Sequence, residues 1–113
     1  MTLLNRPQFN WARGKTADIT DTTDTTVIAA TTGAQIHICD VIIQNSHATT
    51  ATYVKLRCGG TDVMTFYCPA AGGGLAHHFD PPLAGSTSGA WSVQCETTSA
   101  NVRANLSGYK VAG

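Results

Sequence analysis

From Val27 onward, apolar residues recur at every second position in short runs divided by Gly, Ser, Asn and Pro, the period of strands rather than the 3.6 of a helix. The run 52–58 alternates most cleanly. Val54, Leu56 and Cys58 face one way, while Tyr53, Lys55 and Arg57 face the other. Gly59 and Gly60 make a hairpin turn, and residues 62–68 return antiparallel with Met64, Phe66 and Cys68 on one face. Further strands are expected over residues 25–30, 35–45, 75–80, 90–96 and 101–111, with Pro81 and Pro82 breaking the run before them. Along 35–45 the alternation slips at Asp40, because Ile36 and Ile38 share one face and Val41 and Ile43 the other; a bulge or a crossover between sheets there reconciles the halves. Trp91, Val93 and Cys95 alternate inward, as do Val102, Ala104 and Leu106, and Gly108 allows a kink before Tyr109.

Seven or eight strands with no helix longer than a turn bury their apolar faces best as two packed sheets. The expected fold is therefore all-β, an antiparallel β-sandwich of jelly-roll type, with a small barrel as the alternative. Residues 1–26 lack any sustained period, and their Thr and Asp series bonds its own backbone locally and offers nothing to a core. They are expected to form an extended N-terminal arm and linker ahead of a sandwich domain at 27–113.

Composition narrows the function classes. The chain has 113 residues, one domain's worth, and a formal net charge of +0, whereas a nucleic-acid partner calls for surplus cations. A single glutamate, Glu96, and three lysines, Lys15, Lys55 and Lys110, leave no material for helix surfaces, which excludes a helical bundle. No apolar stretch approaches a membrane span and no export signal is visible, so synthesis in a reducing cytoplasm is expected, with Cys39, Cys58, Cys68 and Cys95 as free thiols acting as small buried hydrophobes.

Candidate chemistry is sparse. His77 and His78 are adjacent on a strand and leave opposite faces, and Cys58 and Cys68 are ten apart with no second pair, so neither set has metal-ligand spacing. The serines of 85–89 lie in a turn without the strand-to-helix context of a nucleophile elbow, and Gly72 to Gly74 lacks the lysine of a phosphate loop. Four of the seven carboxylates, Asp18, Asp21, Asp24 and Asp40, fall in the linker or at the suspected bulge. No catalytic residue, metal or cofactor is expected, and the chain reads as a non-enzyme. Of the aromatics, Trp91 belongs to the core on its periodicity, and Tyr53 is the better surface residue, suited to a glycan or to another subunit.

The stretch Pro82-Leu-Ala-Gly-Ser-Thr-Ser-Gly-Ala-Trp-Ser-Val-Gln-Cys95 and the ending Ala104-Asn-Leu-Ser-Gly-Tyr109 resemble small virion proteins of tailed bacteriophages, in which such a turn leads into a strand and the chain ends on a Gly-Tyr strand. The pattern covers residues 27–111, and Val41-Ile-Ile-Gln-Asn45 through Val54-Lys-Leu-Arg57 looks like their central sheet. This resemblance implies a structural role on the virion, as a capsid cement or decoration protein or as a tail or fibre module binding a host-surface glycan or receptor. Such subunits are commonly homotrimers of jelly rolls, and the implied partner of a cement protein is the major capsid protein. The arm lies outside the resemblance and favours the cement reading: Leu3, Leu4, Phe9 and Trp11 are suited to lie along neighbouring capsid subunits, with Arg6 and Arg13 pairing to carboxylates there.

Overall fold

The computed structural model describes residues 10–112, all as strands, turns and loops. Eight strands follow in order: β1 (Asn10–Lys15), β2 (Thr25–Ile28), β3 (Ala34–Asn45), β4 (Thr52–Cys58), β5 (Thr61–Cys68), β6 (Gly74–Leu83), β7 (Trp91–Cys95) and β8 (Val102–Ala112). They build two four-stranded antiparallel sheets, ordered β1-β8-β3-β6 and β2-β7-β4-β5. The expectation of an all-β antiparallel sandwich holds.

The slip at Asp40 is a bulge. The register of β3 shifts between Ile38 and Asp40 against both neighbours, β6 and β8. Cys39 is the extra residue, so Ile36, Ile38, Val41 and Ile43 all turn inward and are fully buried. Facing them from the other sheet are Val54, Leu56, Trp91, Val93 and Cys95. Polar ties fix how the two layers sit. The Trp91 Nε1–H donates to the Ile36 carbonyl at 2.8 Å, joining β7 to β3 through the core. Asn45, fully buried, donates to the carbonyls of Thr50 and Cys68 and accepts the N–H groups of His47 and Asn101, which pins three connections at one end of the sandwich.

The N-terminal segment differs from its reading as arm and linker over its described part, residues 10–26. β1 pairs with β8 along its whole length, Ala12 is buried, and Ile19 is buried in the core and bridged to Val102. The reason lies in Gly14. A Cβ there would sit 1.9 Å from the Val27 carbonyl oxygen, so β1 of one sheet presses directly on β2 of the other and closes that side of the sandwich. Such closure requires small inward residues, which carry no hydrophobic signal.

Two further expectations change. β6 runs through Pro81 and Pro82 instead of ending before them, as an edge strand permits where one side needs no donor. Gly108 pairs with Ala12 and Ile38 in mid-sheet, opposite the bulge, where a Cβ would lie 1.8 Å from the His37 carbonyl oxygen. The inward-facing set expected on β5 also divides, with Cys68 fully buried, Phe66 half-buried and Met64 exposed.

Candidate functional site

Four residues of the expected binding arm, Leu3, Leu4, Arg6 and Phe9, lie outside the described residues. The other two, Trp11 and Arg13, lie on β1 and alternate with the inward Ala12 and Gly14, so they stand on the outer surface of the β1-β8-β3-β6 sheet. Cross-strand partners share a face. The register therefore assembles rows across this surface: Trp11, Tyr109 and His37; Arg13, Ser107, Asp40 and His78; Lys15, Asn105, Ile42 and Ala76.

The first row is aromatic. Trp11 is 65% exposed, and the His37 and Tyr109 rings meet at 5.4 Å with their planes tilted by 45°. The second row centres on Asp40. Its Oδ1 lies 2.8 Å from His78 Nδ1, and its Oδ2 accepts the Ser107 hydroxyl at 3.4 Å. Ser107 borders three of the grooves that run over this face; the one between β1 and β3 encloses about 340 Å³ and is lined by Arg13, Lys15, Asp40, Ile42 and Asn105.

This arrangement brings Ser, His and Asp together in the wrong order for nucleophilic catalysis. A triad needs the imidazole between hydroxyl and carboxylate, whereas here the carboxylate stands between hydroxyl and imidazole, so no ring nitrogen takes the serine proton. Cys39 beside it is half-buried, and burial first, then the Asp40 charge, push its thiol pKa up, which keeps it protonated and weakly nucleophilic at neutral pH. Among the described residues, no three His, Cys, Asp or Glu side chains converge on a point where a metal ion would sit. What the face offers is contact chemistry: a large aromatic, an exposed Ile42, cations at Arg13 and Lys15, and the polar groups of Asp40, Asn105 and Ser107. At its lower margin Arg103 bonds Asp18, and that hydrogen bond and charge raise its pKa further.

Sequence reasoning singled out Trp11 and Arg13 and did not place Asp40, Ile42, His78 and Ser107 beside them. The signal for β3 was present, because alternation restarted after the bulge puts Asp40, Ile42 and Gln44 outward. Nothing local links that strand to β1; the link is β8, which lies between them. No protein-family model matches this chain and no curated protein matches it, so the face has to be read from its own residues.

Proposed function

We propose that this chain is a structural virion subunit, a capsid cement or decoration protein that binds the outside of a phage shell and stabilises neighbouring capsid subunits. The fold it uses on this reading is a jelly roll. Strand pairing supports that: β1 with β8, β2 with β7, β3 with β6 and β4 with β5 are the pairs of one long hairpin wrapped into two sheets. Its partners would be the major capsid protein and further copies of itself in a homotrimer.

The observation that carries the proposal is the placement of Trp11 and Arg13. They stand on a rigid sheet face beside Tyr109, Ile42 and Ser107, at the end of which residues 1–9, with Leu3, Leu4, Arg6 and Phe9, join the domain. An aromatic anchor with an arginine on a preorganised surface is the composition that carries most of the energy of a protein interface. A second reading, a tail or fibre module holding a glycan, draws on the same aromatic row and the grooves beside it, since sugars stack on such rings and bond such polar groups.

The test is attachment to shells. Trp11→Ala with Arg13→Ala is expected to weaken binding to expanded phage shells by about 2–4 kcal/mol, the range of interface anchors, and to leave the far-ultraviolet circular dichroism spectrum unchanged. Unchanged affinity would remove this face from the contact. Imaging of labelled protein on virions separates the two readings, on the capsid lattice for cement and on the tail for a glycan-binding module.

A further inference from the structure

The groove between β1 and β3 runs over β8, whose outward residues Asn105 and Ser107 form its floor. Neighbouring strands are about 4.8 Å apart, so its two walls stand about 10 Å from each other, the width that one extended chain takes up between two others. One wall is Arg13 and Lys15 of β1, and the other is Asp40 and Ile42 of β3.

The walls differ in what they leave unsatisfied. Lys55, Arg57 and Arg103 each pair with an aspartate, whereas among the described residues Arg13 and Lys15 form no ion pair. Across the groove from Arg13, Asp40 has both oxygens engaged, one by His78 and the other by Ser107. Across from Lys15, Ile42 is 52% exposed although it sits on an interior strand, between β8 and β6. Two unpaired cations thus line one side and an uncovered apolar side chain the other.

We infer that this groove holds an extended segment of another protein in which two acidic residues flank an apolar one. In an extended chain residues i and i+2 point to the same side about 6.8 Å apart, and Arg13 and Lys15 have that spacing on β1. Carboxylates at those two positions meet the two cations, and residue i+1 turns to the opposite wall and covers Ile42. Asp40 on that wall repels a carboxylate, so the acidic side of the segment faces β1. This chain does not supply the segment itself. Its residues 1–9 contain Arg6 and no carboxylate, and no two of its seven carboxylates are two residues apart, which excludes a second copy as well. An acidic sugar polymer brings carboxylates but no apolar side chain for Ile42. The inference rests on the cement reading only for the owner of the segment, a capsid subunit.

Peptide titration of the isotopically labelled full chain, followed by two-dimensional NMR, tests it. The probes are the end-blocked peptide Gly-Glu-Leu-Glu-Gly, a version with both Glu changed to Gln, and one with Leu changed to Ser. The first is expected to move the amide signals of Arg13, Lys15, Ile42 and Asn105 with a Kd of about 1 mM, and the glutamine version to bind about tenfold more weakly through loss of two exposed ion pairs. The serine version should bind severalfold more weakly. Signals that stay in place up to about 10 mM peptide, or that move equally with the glutamine or the serine version, overturn the inference. So does an oligogalacturonate that binds the same residues more tightly than the first peptide, which would give the groove to a glycan. A chain that takes the first peptide selectively but ignores shells keeps the groove and removes the cement reading. One that decorates shells while binding all three peptides alike keeps the cement reading and removes the groove.

Discussion

The two flanks of the sandwich solve the same problem in opposite ways. On one side β1 and β2 come from different sheets and touch, with Gly14 against the Val27 backbone, and the segment between them lays Ile19 into the core and bonds Thr16 and Ile19 to β8. On the other side β5 and β6 also come into contact, but Phe66 and Leu75, which pack against the core there, stay half-buried. The closed flank is built from small residues and backbone contact. The open one is built from larger apolar residues, Phe66 and Leu75, that the chain covers only in part, which places more of the stability of the single chain on the first flank than on the second.

The largest effect expected from that difference comes from truncating one apolar side chain on each side. Ile19, 5% exposed, would leave a cavity, and Ile19→Ala should cost about 3–4 kcal/mol in urea unfolding. Met64, 38% exposed, should cost less than about 1 kcal/mol when cut to Ala at concentrations where the chain is monomeric. Equal losses would mean that the flanks are equally closed.

Much of the open side was legible in the sequence, and little of the closed side. β4 and its hairpin to β5 follow from alternation and a Gly-Gly turn, since their inward residues are large and their outward ones polar. The bulge at Asp40 followed from the same periodicity. β1 was hidden because its inward positions are Ala12 and Gly14, chosen by the closeness of β2 and silent in a hydrophobic pattern. The candidate face was hidden for a related reason. Its rows join β1, β8, β3 and β6, strands separated by up to about a hundred residues of chain in a topology that no local spacing announces. Asn45 is legible in the sequence only as the last residue of a strand, yet it is a buried hub, because an asparagine's own backbone context does not tell which distant carbonyls it will meet.

An alkaline titration finds where the open flank stops. Cys95 on β7 is buried, and burial first, then Cys68 on β5 and Asp21 in the segment before β2, push its thiol pKa up to about 11 from an ordinary value of 9.0. Cys68 at the end of β5 is itself raised by burial. An acid whose pKa is raised by folding keeps its proton in the native state while the unfolded chain loses it. Its stabilisation is therefore complete below pH 9.0 and is lost as pH climbs from there towards about 11. Unfolding free energy should fall by on the order of 2 kcal/mol across that window, and Cys95→Ala should flatten the fall after its own cavity cost is subtracted. A flat profile in the wild-type chain would mean that water reaches both thiols and that the opening runs the full length of β5.

The smallest effect concerns the Arg57 link across the outer surface of the β2-β7-β4-β5 sheet. Arg57 on β4 donates through Nε to Asp62 on β5 at 2.7 Å, through one terminal nitrogen to Asp24 just before β2 at 2.8 Å, and through the other to the Gly60 carbonyl of the hairpin. It thus spans from the open edge to the closed one. The guanidinium has about a fifth of its side chain exposed, and its two carboxylate partners more, so water screens both pairs. Arg57→Met, which keeps the apolar stem over the sheet, should lower stability by less than about 1 kcal/mol, with double-mutant coupling to Asp24 and to Asp62 of about 0.2–1 kcal/mol each, shrinking in high salt. A coupling to Asp24 well above that range would show that the closed flank braces the open one through this link. A coupling near zero for both would leave the two flanks joined through the core alone.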